Sequence, residues 1–412
     1  MPVLALLVLA QHDLVLTGGR VIDPRNNVDR VADVAISNGN IAAVGERLSG
    51  RKTIDVRGTI VTPGLIDIHV HLFATTGQRD AWAGDNSVLP DGFSFRTGVT
   101  TMADAGSSGW RNFETFRHTV IDRAKTRVFA FINIAGLGMM TDLAEQGDFD
   151  PQAVAALAKK HRDVVVGVKT AHYQKPDWES VDSALEAGRA ASIPVMVDFG
   201  YFHIERPFWK LVTEKLRPGD IATHMFRGPV PYVDANGRLL PYLTQARARG
   251  VKFDVGHGGG SFVFRNAAPA VKAGFYPDSI STDLHTGSMN GSMMDMPTTM
   301  SKLLALGVPL AEVIRESTDA PAKLIGHPEL GHLSTGAVAD IAIWNLQRGD
   351  FGFADFAGGG VRSKERLICE MTLKDGKIAW DWNARDSRDY RELPATYGVR
   401  PGIDKIVVPK PY

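Results

Sequence analysis

From Asp13 onward, short apolar runs are punctuated by turn residues: Asp13-Leu14-Val15-Leu16-Thr17, the pair Gly18-Gly19, Val21-Ile22, then Val31 to Ile36 and Ile41 to Val44 around Asn38-Gly39. Runs of this length bounded by Gly and Asn pairs predict strands joined by tight turns. The texture returns late in the chain, in Ala339 to Trp344 and in Glu370 to Leu373, which leads through Asp375-Gly376 to Ile378-Ala379-Trp380. Two all-β pieces at opposite ends predict one composite β-sandwich domain, residues 13–62 plus 335–412. Between them, in residues 63–334, strand-length apolar runs alternate with helix-length segments such as Gln152 to Lys160, Val181 to Ala191 and Tyr242 to Arg249. That alternation is the pattern of parallel βαβ units. Eight runs qualify as strands: Leu65 to Leu72, Thr100 to Ala105, Val128 to Ile134, Val164 to Thr170, Pro194 to Phe199, Asp220 to Phe226, Lys252 to His257 and Ser279 to His285. Eight is the number that closes a (β/α)8 TIM barrel. The predicted class is therefore α/β, a barrel carrying a small β domain.

Composition changes this picture little. With 412 residues, 44% of them hydrophobic, the chain can bury a large core. Lys plus Arg and Asp plus Glu both number 46, so no global field favours nucleic acid or an anionic membrane, and a small-molecule substrate is the simpler expectation. Cys369 is the only cysteine, so any metal must be held by His and carboxylates. The run Val3 to Ala10, within residues 1–12, reads either as a short signal-peptide core without a basic flank or as a greasy lead-in to the first strand. The first reading implies a periplasmic or secreted protein and the second a cytoplasmic one. No other stretch approaches the roughly 20 apolar residues of a membrane helix. A homo-oligomer is compatible with all of this and required by none of it.

Ionisable residues interrupt the predicted strands. His69 and His71 stand at the end of the first, Lys169 of the fourth, Asp198 of the fifth, His224 of the sixth, His257 of the seventh and Asp283 of the eighth. Buried parallel strands normally read as continuous apolar sequence, and unpaired charges there are costly. In a barrel the carboxyl ends of the strands converge on one face, so these residues meet around one cavity. His69 and His71, two apart on a strand, project to the same side and suit a shared cation.

The stretch Pro63-Gly64-Leu65-Ile66-Asp67-Ile68-His69-Val70-His71 resembles the first barrel strand of the amidohydrolase superfamily. The likeness extends from Gly18 to Asp23 at the leading end to Gly336 to Ile341 at the trailing end. Arg217 to His224 and Phe253 to Phe262 resemble, more narrowly, the deacetylase-like metallohydrolases related to dihydroorotase. The resemblance implies two divalent cations, zinc expected and manganese the alternative. It implies that His69 and His71 bind the more buried ion and His224 the more exposed one, and that Asp283 both ligates and carries the proton. It implies further that Lys169 is carboxylated by CO2, since an ammonium has no acceptor lone pair whereas a carbamate offers two oxygens. One position departs from the family: Asp198 stands where a histidine is usual. Asp198 is chemically competent as a ligand, and His203 reaching back from the following loop is the alternative.

The implied reaction is hydrolysis of an amide or acyl ester, deacetylation of a small acyl acid being favoured, with cation-activated water as nucleophile and Asp283 as general base and acid. His257 is the expected oxyanion donor, His172 and Tyr173 are expected to line the pocket, and Arg265 to receive a substrate carboxylate. Ring opening of a cyclic amide is the competing reaction. A barrel that kept the fold and lost the chemistry is the non-catalytic alternative, against which the ionisable groups on one face argue. Deamination is less expected, because the single-metal deaminases of the superfamily lack the strand-four lysine.

Overall fold

The computed structural model describes residues 11–73, 87–139 and 147–407. The apolar run before residue 11 lies outside them.

Strands β1 (His12–Asp23), β2 (Val28–Ser37), β3 (Asn40–Gly45), β4 (Gly50–Asp55) and β5 (Ile60–Pro63) begin the chain. They share one sheet with three strands from its far end, β13 (Ile341–Ala354), β14 (Gly360–Lys374) and β15 (Lys377–Asp381). The junction is β5 against β13, antiparallel, with Val61 opposite Ile343. A single apolar cluster takes Leu14, Leu16, Val34 and Ile36 from the first group and Ile341, Ile343, Met371 and Leu373 from the second. The composite β domain therefore has a core to which neither end contributes alone.

The second sheet is parallel and runs in chain order through β6 (Leu65–Val70), β7 (Val99–Gly109), β8 (Arg127–Asn133), β9 (Val165–Thr170), β10 (Val195–Val197), β11 (Ile221–Ala222) and β12 (Lys252–Phe253). The eighth predicted run has no regular strand. Residues 279–284 instead form isolated parallel bridges, Asp254 with Ser279 on one side and Val70 with Leu284 on the other, which join β12 back to β6. Closure is thus made by a segment that touches both edges of the sheet. Inside, Ile66, Ile68, Ala103, Ala105, Phe129, Phe131, Val166, Met196 and Ile221 form one cluster, plugged from below by Ala322, Ile325 and Leu330. Side chains at i and i+2 from successive strands are what a filled barrel requires.

Helices cover the outside with ordinary signals. Asp150 accepts from the Ala153 N–H at the start of the helix Pro151–Lys160, whose last turn carries Lys159 and Lys160. The helix Glu179–Ala191 ends at Ser192 in a left-handed conformation. The late strands are shorter than predicted because the chain leaves extended geometry at the residues of interest: His224 has φ 58° and Asp283 φ 51°. Neither residue can stay in a ladder with that backbone.

Candidate metal centre

Parity along β6 decides where the first two histidines point. Ile66 and Ile68 line the barrel interior, so strict alternation would turn His69 and His71 away from it. The pairing with β7 slips between Asp67 and Val70. A slip of this kind re-aims the residues beyond it, and His69 reaches the same cavity as Lys169, His224 and Asp283. Asp67 anchors the strand by accepting from the Thr282 N–H (3.1 Å) and its hydroxyl (2.5 Å). Burial pushes its carboxyl up to about 7.

His69, His224 and Asp283 each offer a ligand atom within 4.8 Å of the others, all three residues buried. Asp283 Oδ1 lies 3.0 Å from His71 Nε2 and 3.6 Å from His69 Nε2. The far sides of the imidazoles determine what the near sides can do. Thr223 Oγ1 donates its one hydrogen to Asp254 at 2.7 Å and lies 2.9 Å from His69 Nδ1, so it accepts from that ring nitrogen. Burial opposes ionisation of Asp254, but His69 and the hydroxyls of Ser279 and Thr223 outweigh it and hold the carboxyl below its usual range. His224 Nδ1 faces the Gly256 carbonyl at 2.5 Å, which can only accept. His71 Nδ1 faces Ser107 Oγ at 2.9 Å. In His69 and His224 the proton is therefore on Nδ1, and Nε2 presents a lone pair to the cavity. This outer hydrogen bonding is what orients metal-binding imidazoles.

The facing atoms around Asp198 also suit a cation. Asp198 Oδ2 stands 3.2 Å from His224 Nε2, acceptor facing acceptor, and 3.4 Å from His172 Nε2. A positive charge between such atoms turns repulsion into coordination, and the His and carboxylate set suits zinc or a similar divalent ion. Burial opposes ionisation of Asp198 too, yet the side-chain contact with His172 helps to hold its carboxyl well below the usual range. His203, the alternative to Asp198, makes no ion pair with a carboxylate among the described residues, and its buried Nε2 has no hydrogen-bond partner.

Lys169 is fully buried, with Nζ 3.1 Å from His69 Nε2. Among the described residues no carboxylate lies within 4.0 Å of it, so the amine is not one half of a buried ion pair. Its room comes from Gly106, at φ +84°, where a Cβ would stand 2.6 Å from Lys169 Cγ. Burial, then the neighbouring Lys169 charge, pushes the His69 ring down to about 3.

Three predicted pocket residues turn out differently. His257 is wholly buried, its Nδ1 on the Gly258 carbonyl at 2.9 Å and its Nε2 receiving the Lys302 amine at 2.7 Å. The neutral ring so held has no N–H left for an oxyanion. Tyr173 is buried, with its hydroxyl 2.6 Å from Asp177 and 3.1 Å from Glu179, so it braces the loop that follows β9. Arg265 lies exposed at the start of the helix Phe264–Lys272, bonded to the Gly228 carbonyl at 3.1 Å. His172, half-buried beside Asp198, does border the cluster. Arg227 also stands at the cluster, its Nη1 3.2 Å from Asp198 Oδ1. Asp254 was open to detection as a charge inside an apolar run; Thr223, Ser107, Arg227 and Lys302 had no comparable local signal.

Comparison with known proteins agrees with this geometry. A model of the amidohydrolase family matches residues 263–378. A deacetylase of Brucella anthropi is 33% identical over 357 residues, covering 82% of this chain and 85% of the relative. A crystal structure of an adenine deaminase superposes with a TM-score of 0.81 at 30% identity, over 90% of this chain and 100% of that one. A crystal structure of a dihydroorotase gives 0.78 at 28% identity, over 89% and 98%. With a barrel of this topology, buried imidazoles oriented for a cation, and a relative this similar over most of both chains, the protein belongs to the amidohydrolase family of metal-dependent hydrolases, in its deacetylase-like branch related to dihydroorotase.

Proposed function

We propose that the chain uses two divalent cations to hydrolyse an amide or acyl ester of a small molecule, removal of an acetyl group being the favoured reaction. The observation that carries the reading is the convergence of imidazole lone pairs and carboxylates on one buried point, with the outer ring nitrogens already committed. The printed name of the Brucella anthropi relative, a deacetylase, supports the reaction class.

In this reading His69 and His71 hold one cation, Asp198 and His224 the other, and Asp283 and carboxylated Lys169 serve the centre between them. Bound there, the cations would supply Lewis acidity toward a carbonyl and toward water at neutral pH. Asp283 moves the proton. Burial works against its ionised form, yet its contact with His71 Nε2 at 3.0 Å helps to hold it below the usual carboxylate range. It is therefore an acceptor at neutral pH and a strong donor once loaded, which suits delivery of a proton to a leaving group. With Arg265 in solvent, Arg227 is the group offered to a substrate carboxylate, since Asp198 engages only part of its five-donor fork. His172 borders the same space.

The test is metal content followed by turnover. Protein incubated with zinc or manganese and bicarbonate is expected to hold close to two ions per chain and to act on N-acetyl or O-acetyl acids. No retained metal would sink the reading. Turnover confined to cyclic amides would replace it by the dihydroorotase-like alternative, and turnover confined to adenine by deamination. Lys169→Ala with both ions and full activity intact would remove the carbamate.

A further inference from the structure

Lys302 sits in the helix Met296–Ala305, wholly enclosed, with no carboxylate within ion-pair distance among the described residues. An enclosed ammonium is strongly disfavoured unless its hydrogens are satisfied. Here Nζ donates to His257 Nε2 at 2.7 Å and to the Ser292 carbonyl at 2.6 Å, and lies 5.6 Å from the centre of the Phe262 ring. The His257 ring stacks on Phe262 at 4.6 Å, and its Nδ1 is held by the Gly258 carbonyl. The imidazole is thereby fixed at both nitrogens and on one face.

His257 is the only side chain of Gly256-His257-Gly258, and this tripeptide runs directly against the cation cluster. A Cβ on Gly256 would lie 2.9 Å from His224 Nδ1 and 3.0 Å from His69 Nδ1, and one on Gly258 2.2 Å from Asp283 Oδ2. The Gly256 carbonyl is also the acceptor that sets the His224 tautomer. Both glycines have positive φ, +45° and +55°, a region glycine adopts without steric cost; the N–H groups of Gly256, His257 and Gly258 are tied to Ser281 and Thr282, and the His257 ring is the segment's one side-chain tether. We infer that Lys302, acting through His257, is a positioning residue for the cation centre: it clamps the segment that aims His224 and abuts Asp283. Through the Ser292 carbonyl the same amine also ties this segment to the chain beyond the helix Thr286–Met289.

The inference rests on the cluster being a metal centre, and one pair of variants separates the two ideas. Lys302→Met removes the donor at nearly constant volume; losing an enclosed charge to an apolar chain is compatible with folding. Lys302→Gln keeps an N–H donor on a slightly shorter chain. Zinc affinity is read by chelator competition, alongside kcat, KM and the imidazole 15N spectrum of the apoprotein. The Met variant is expected to bind zinc about 10–100-fold more weakly, the loss typical for groups that orient ligands, with kcat falling more than KM changes. Its His257 signals are expected to leave the fixed Nδ1–H form in the apoprotein, a readout that needs neither metal nor turnover. The Gln variant is expected to recover most of the affinity. Wild-type affinity and an unchanged 15N spectrum in the Met variant would overturn the clamp, as would a Gln variant no better than Met. Failure of the wild type itself to take up zinc would overturn the metal centre and the clamp together.

Discussion

Gly106→Ala changes no ionisable group, yet it is expected to disturb Lys169. Gly106 has φ +84°, and an added Cβ would stand 2.6 and 2.7 Å from Lys169 Cγ and Cβ and 3.3 Å from Asn133 Nδ2. Two effects add. A left-handed conformation disfavours an L-residue by roughly 1–2 kcal/mol, and overpacking an enclosed site costs about 1–3 kcal/mol. Gly58 separates them, because it has φ +78° with nothing within 4 Å of the same added atom. Gly58→Ala is therefore expected to lose about 1–2 kcal/mol, and Gly106→Ala about 2–5 kcal/mol, a large part of an ordinary domain's stability. Urea denaturation of the metal-free protein measures both. Zinc per chain then shows whether the steric part falls on Lys169: Gly106→Ala is expected to load poorly and Gly58→Ala normally. Equal losses of stability in the two variants, with equal metal content, would refute the close packing of Gly106 against Lys169.

Thr223→Val removes the hydroxyl that accepts from His69 and donates to Asp254; zinc affinity is expected to fall about 10–100-fold, with recovery in Thr223→Ser, as chelator competition would show. Burial pushes the Lys302 ammonium down from 10.5 to about 7 against the opposing charges of Asp355 and Asp295, with neutral His257 at its tip. Between those two values the unfolded chain binds this proton and the folded one does not, so stability rises with pH across that window. Relative to Lys302→Met, the metal-free wild type should gain several kcal/mol (order of magnitude) from pH 7 to pH 10.5, at about 1.4 kcal/mol per unit; parallel denaturation curves would contradict this. Removing metal with a chelator should lower the thermal midpoint, and zinc at about 100 times its Kd should restore about 2.7 kcal/mol, measurable by scanning calorimetry.

The sequence by itself determined seven of the barrel's eight predicted strand runs, the β strands at both ends and the ionisable groups at strand ends, because each is a local pattern: an apolar run, a turn pair, a charge where only apolar residues are expected. His69, His71, Lys169, Asp198, His224 and Asp283 were found that way, and they meet. Orientation was not local. Alternation on β6 points His69 away from the interior until the slip at Asp67 reverses it. The proton on His69 is set by Thr223, 154 positions away, and the ring of His257 by Lys302, 45 positions away. Hence His257 looked like a free donor in the sequence and is a clamped acceptor in the fold, while Arg265 gave way to Arg227 because a helix start turned one guanidinium to solvent. Hydrophobic periodicity encodes which face of an element is buried; which nitrogen carries a hydrogen depends on atoms that only closure of the barrel brings within 3 Å.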